Sequence, residues 1–138
     1  MTTLSVLRFP AESGFESMQR GLTPLWQEAK ARGDSCAVML NHRGAGAPSL
    51  WSDGLADENG PALVKLSGAG CLCCERTGLL GLVLAGLFRE LARRSPHLPV
   101  QRTVFLLVGP AAREAGLRRQ VRWMHPAPFM VWNEAGLL

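Results

Sequence analysis

No stretch of this chain is apolar for long enough to cross a membrane. The longest apolar run, Leu79 to Phe88, holds two glycines and is followed by Arg89, well short of the ~20 residues a span needs. Nothing at the start of these residues reads as a secretory leader either: Leu4 to Leu7 is too short for its apolar core and ends at Arg8. Internal repeats and low-complexity tracts are absent. These absences argue against a membrane-spanning or secreted protein, and the expectation is a soluble, cytoplasmic chain whose thiols stay reduced. At 138 residues it suits one domain that buries about two-thirds of its unfolded surface, so it needs no disulfide for stability.

The formal charge is +4 and the isoelectric point near 9.3. The excess lies mostly in the second half, where Arg89, Arg93, Arg94, Arg102, Arg113, Arg118, Arg119 and Arg122 face only Glu90, Glu114 and Glu134. Such an excess attracts acidic partners or nucleic acid in some proteins. Here no aromatic-interleaved patch or nucleic-acid motif accompanies it, so these arginines read as solvated helix faces and no nucleic-acid partner is expected.

What is present in unusual density is cysteine. Gly68-Ala69-Gly70-Cys71-Leu72-Cys73-Cys74 places three of the four cysteines within four residues. Neighbouring thiolates repel unless a soft cation or a disulfide compensates, and closely spaced soft donors are what zinc or copper(I) requires. Buried, inert cysteines are the competing reading.

Around that segment the pattern reads as alternating strands and helices. Leu4 to Phe9 is a short buried strand ended by Pro10. Ser13 to Glu16 fits a capping box, opening a helix with an apolar stripe of Phe15, Met18, Leu22, Leu25 and Ala29. Gly21 and Pro24 sit where they should weaken or kink it, and Gly33 where it should stop. Cys36 to Leu40 is a second strand; Asn41 to Pro61, rich in Gly, Pro, Asn, Asp and Ser, reads as a long loop. Ala62 to Leu66 is a third strand. Thr77 can cap a helix running to about Arg94, with Leu79, Leu80, Val83, Leu84, Leu87, Phe88 and Leu91 as its buried face. Arg102 to Val108 is a strand covered on both faces, Ala111 to Trp123 a basic helix, and Phe129 to Trp132 a last short strand. This order predicts a three-layer α/β domain over 1–138, with a mostly parallel sheet of about five strands covered by helices. Ligands of such sheets sit beyond the carboxyl ends of the strands, where Asn41-His42 and the Gly70 to Cys74 segment would both lie.

At Val64-Lys65-Leu66-Ser67-Gly68-Ala69-Gly70-Cys71-Leu72-Cys73-Cys74 the sequence resembles the CobW-like family of P-loop GTPases, many of them metallochaperones or metal insertases. In that family a strand leads into Gly-Cys-x-Cys-Cys and a long helix. Cys36 to Leu40 with Asn41-His42-Arg43-Gly44 resembles the family's strand followed by Asn-Glu-Phe-Gly. The resemblance implies a P-loop NTPase-like fold, a nucleotide-switched metal carrier, and a C-terminal domain that these residues do not include. The nucleotide machinery does not carry over. Phe15 stands where the P-loop lysine belongs, Glu16 where its hydroxyl belongs, and Leu106-Leu107-Val108-Gly109 where the family has Glu-Thr-Thr-Gly. Glu12 and Glu16 would repel a triphosphate, and no Asn-Lys-x-Asp guanine reader occurs. The expectation is a metal-binding relative without GTPase activity or bound nucleotide.

Cys71 and Cys73, two apart, can face one ion together in an extended segment, while Cys74 needs a local turn to join. Zinc wants a fourth donor, for which His42 is the candidate; copper(I) is content with two or three thiolates. Cys36, at the start of a buried strand, reads as core, and His97 and His125 beside prolines as surface. Metal release without a nucleotide switch would fall to a homodimer or a full-length CobW-like relative. The alternatives are a protein-interaction module with relic cysteines and a thiol redox protein.

Overall fold

The computed structural model describes residues 2–57, 60–67, 79–94 and 101–134. Five parallel strands form one sheet in the order β3-β2-β4-β1-β5. They are β1 (Thr2–Arg8), β2 (Ser35–Asn41), β3 (Leu63–Leu66), β4 (Arg102–Val108) and β5 (Phe129–Glu134). The helices are α1 (Phe15–Ala31), α2 (Pro48–Gly54), α3 (Leu79–Arg94) and α4 (Glu114–Val121), with a 3-10 turn at Arg43–Ala45.

Strand alternation divides the apolar residues between two cores. Leu4, Val6, Ala37, Met39, Val104 and Leu106 point to one face, where Leu80, Leu84, Leu87 and Leu91 of α3 and Leu117 and Val121 of α4 cover them. Leu7, Val38, Leu40, Phe105 and Leu107 point to the other, against Met18, Leu22, Trp26 and Ala29 of α1 and Trp51 of α2. Because β1, β2 and β4 are buried on both sides, their sequences are continuous apolar runs rather than alternating ones. The result is the expected three-layer α/β architecture.

Several local expectations are corrected. Asn41 to Pro61 is not one long loop. It holds the 3-10 turn and α2, because Pro48 suits a first helical position and Trp51, fully buried, donates its indole N–H to the Ala45 carbonyl at 2.6 Å. The Ser13–Glu16 capping box does not form. Gly14 is the N-cap and no side chain caps the helix, since Ser13 is buried in a contact with the turn after β2. α1 runs 17 residues with Gly21 and Pro24 inside it, and burial of Leu22, Trp26 and Ala29 supports the helix across the missing Pro24 amide. The basic helix is the shorter α4, and β5 continues to Glu134, where a side-chain pairing with Arg8 holds it. Thr77, His97 and the thiols Cys71, Cys73 and Cys74 lie outside the described residues. No helix among the described residues is long and apolar enough to cross a membrane.

Candidate functional site at the carboxyl edge

β1 and β2 lead into helices on one face of the sheet, β3 and β4 into helices on the other. The neighbours β2, β4 and β1 therefore send their chains in opposite directions at their carboxyl ends, the arrangement that opens a crevice in α/β sheets. His42, directly after β2, stands at that point. Its Nδ1 accepts from the Gly44 amide at 2.9 Å, so its Nε2 carries the proton and donates to the Pro10 carbonyl at 2.9 Å. The ring also borders Gly109 at the end of β4. One imidazole thus joins the ends of three strands.

Gly44 sits hard against the loop after β1: a Cβ there would collide with the Ser13 carbonyl oxygen. The loop between β1 and α1 therefore presents two carbonyls, Pro10 and Ser13, toward the turn after β2. A phosphate cradle does the reverse, presenting amides. Phe15, in the first turn of α1, lies edge-on to Trp51 with ring centroids 4.9 Å apart, so its side chain belongs to the α1–α2 packing. At the far side of the crevice Arg8 donates to Glu134 at 2.8 Å and to the Pro110 carbonyl at 3.2 Å, and Glu134 also accepts from the Trp132 indole at 2.9 Å. The Arg8 charge is compensated in place.

The end of β3 is fastened to the same edge. The Ser67 amide donates to the Leu40 carbonyl at 2.9 Å, the Ser67 hydroxyl to the same oxygen at 2.9 Å, and the Asn41 amide side chain to Ser67 Oγ at 2.6 Å. Gly68 follows Ser67 in sequence, so the cysteine-rich segment departs from a residue clamped beside Asn41 and one position from His42.

His42 is thus found at the carboxyl edge where the sequence expects it, with both ring nitrogens engaged by backbone groups. Cys36 lies at the opposite end of β2, roughly 16 Å from Asn41 at about 3.3 Å per residue. Its thiol faces the α1 core and approaches the Asp34 carbonyl at 3.6 Å. Burial, first among the causes and only partly offset by Lys30, pushes that thiol up to about 12. His125 is exposed. Among the described residues no three His, Cys, Asp or Glu side chains gather as a metal would need. Sequence reasoning missed the Arg8–Glu134 pair, Ser67 and the close approach of Gly44. The pair is 126 positions apart and gave no signal, whereas the place of Ser67 directly after the β3 run was a signal that could have marked it as an edge residue. In comparisons with protein-family models, curated proteins and solved structures, nothing matches this chain.

Proposed function

We propose that this is a cytoplasmic thiolate metal-binding protein, a CobW-like relative that carries or buffers zinc or copper(I) without hydrolysing GTP. Cys71 and Cys73 are the primary ligands and Cys74 the third. The observation that carries the reading is the density of thiols, three in four residues, directly after a strand end that Ser67 fastens beside Asn41 and His42. The donor set suits a soft ion: thiolates satisfy copper(I) in twos and threes and zinc with one further ligand. His42 can supply that ligand only by surrendering hydrogen bonds: through Nδ1 it would give up the Gly44 amide and keep Nε2–H on Pro10, and through Nε2 it would have to pass its proton to Nδ1 and lose both. Its first role on this reading is to hold the edge together.

Loss of nucleotide function is supported by the same geometry. The loop after β1 turns carbonyls toward the crevice, Phe15 is packed on Trp51, and Arg8 is neutralised by Glu134. A triphosphate would meet oxygen where it needs N–H and cation.

The deciding measurement is metal content of protein purified under reducing conditions, set beside the Cys71→Ser/Cys73→Ser double variant. The expected result is about one ion per chain in the parent and none in the variant, with affinity falling below neutral pH because thiolates must lose protons to bind. Equal metal content in the two would refute the reading and leave an interaction module or a redox protein.

A further inference from the structure

The two helical layers differ in charge. α1 and α2 carry Glu16, Glu28 and Asp53 against Arg20 and Lys30, a near balance. α3 and α4 hold no lysine and no aspartate: five arginines stand against Glu90 and Glu114, and Arg113 and Arg122 flank α4 at its two ends. Both glutamates are already engaged, Glu90 by Arg93 and Glu114 by Arg118. Arg89, Arg119 and Arg122 are exposed, and among the described residues no carboxylate pairs with any of them.

Helical spacing puts these three arginines on the solvent side. In α3 Leu80, Leu84, Leu87 and Leu91 face the core, so Leu82 and Arg89, seven positions apart, share the outward face. In α4 Leu117 and Val121 face the core, and Arg119 and Arg122, three apart, share its outward face. The two helices meet where a Cβ at Gly81 would lie 3.7 Å from the Met124 side chain and 3.9 Å from the Gln120 carbonyl oxygen. Leu82 and Trp123 adjoin that contact in sequence, and they are 70% and 72% exposed. The Arg122 guanidinium lies 5.4 Å from the Trp123 ring centroid. The fold therefore sets an exposed aromatic among uncompensated arginines, at the junction of two basic helices.

We propose that the α3–α4 face binds single-stranded nucleic acid, with Trp123 as the platform on which a base stacks and Arg89, Arg119 and Arg122 as phosphate contacts. This departs from the expectation of merely solvated helix faces, and it is independent of the thiolate reading. Charge complementarity calls for an anion, and the planar guanidinium fork matches phosphate oxygens two at a time. Trp123 narrows the class of anion. Any base offers a π-face to an exposed indole, and Arg122 beside the ring adds a cation to the stack. A carboxylate-rich peptide would use the arginines and leave the ring idle. A lipid surface needs a row of apolar side chains to insert, but α3 and α4 turn their apolar stripes to the core. Among the described residues only Leu82 and Trp123 are large, apolar and exposed in this layer. A duplex keeps its base faces stacked out of reach, so the strand that fits is single.

Fluorescence anisotropy of a labelled oligothymidylate of about 16 nucleotides, titrated with the full chain in chelator and reductant, tests the proposal apart from any metal. The expected result is a dissociation constant in the micromolar range at about 50 mM salt, with a log–log salt slope near about −2 from three phosphate contacts. Trp123→Ala should weaken binding about 5- to 100-fold at unchanged slope, and Trp123→Phe should keep most of the affinity. Both variants should melt with the parent, because the ring is exposed. Changing Arg119 and Arg122 together to Gln should reduce the slope to roughly −0.7, the value for one remaining contact. No binding at about 50 mM salt, a Trp123→Ala affinity equal to the parent's, or a slope unmoved by the arginine changes would each overturn the proposal. Equal or tighter binding to the duplex, to polyglutamate or to phosphatidylserine vesicles would also overturn it, and would assign the face to that class of anion instead.

Discussion

Gly44 has no left-handed backbone conformation to protect, so replacing it with alanine tests steric closure of the carboxyl edge and nothing else. The added Cβ would collide with the Ser13 carbonyl oxygen and press within 3.3 Å of His42 Cε1. The obstacle is backbone, which cannot swing aside as a side-chain tip can. Overpacking of this kind costs about 1–3 kcal/mol. Pushing the turn off the loop after β1 also endangers the two 2.9 Å bonds of His42, to Gly44 and to Pro10, each worth about 1 kcal/mol net. The expected loss is about 2–4 kcal/mol, a large part of the ~5–15 kcal/mol a domain holds, and a fall in Tm on the order of 10 °C. Urea unfolding should show it as a lower midpoint at unchanged slope. His42→Ala removes the same two bonds without adding an atom and should lose about 1–2 kcal/mol. The double variant should then fall short of the sum by about the energy of the shared bonds. A Gly44→Ala protein within about 0.5 kcal/mol of the parent would mean that the edge is loose and that the Ser13 contact does not hold it.

The Cys36 thiol, raised by burial from 9.0 to about 12, stays protonated in the fold while the unfolded chain ionises. Its contribution is therefore complete below about pH 9 and declines as pH rises toward 12, by up to ~1.4 kcal/mol per unit; Cys36→Ala should flatten that part of the pH–stability curve, and an unchanged slope would contradict the burial argument. The same burial predicts that iodoacetamide at pH 8 modifies Cys36 only after unfolding, which mass spectrometry of the labelled peptides reads directly. Calorimetry with GTP and Mg²⁺ should show no micromolar binding, because on the proposed reading Phe15 and Glu16 stand where a P-loop has its Lys and hydroxyl, and the loop after β1 turns carbonyls toward the turn after β2; a micromolar heat signal would reverse that view.

The parts of the fold legible in the sequence are those whose signal is local and repeated. Thr103 to Val108 shows both-faced burial in its own residues, and α1 shows its stripe at helical spacing through Met18, Leu22 and Ala29. α2 was not legible because its seven residues lie in a Gly- and Pro-rich stretch and its anchor is one indole, Trp51. The failed cap at Ser13 is a tertiary override: the residue has capping chemistry, but the fold buries it against Gly44. For the site, the edge position of His42 followed from its place after a strand. The hydrogen bonds on its two nitrogens did not, since Pro10 is 32 positions away and becomes a neighbour only through the strand order.

On the proposed reading, strand order also accounts for a sheet edge that takes no nucleotide and yet carries a metal-binding segment. Phosphate binding at the central crevice depends on several elements at once: amides from the loop after β1, a cation, and room between β1, β4 and β2. Here His42 fills that place, bonding Pro10 and Gly44 and bordering Gly109, while Glu134 answers the Arg8 charge. A thiolate site needs only its own short segment and a firm starting point. Ser67 provides that point on the outer side of β2, away from the closed crevice. The two demands are therefore separable in this topology, and Ser67→Ala discriminates between them. It removes the hydroxyl that bonds Leu40 and Asn41, with an expected loss of about 1–2 kcal/mol, and leaves His42 and the crevice untouched. On the proposed reading the variant keeps its metal stoichiometry and binds it more weakly, because the thiols then start from a less fixed position. If competition with a chromophoric chelator returned an unchanged affinity together with the expected stability loss, the anchoring of the cysteine segment at Ser67 would be structural only.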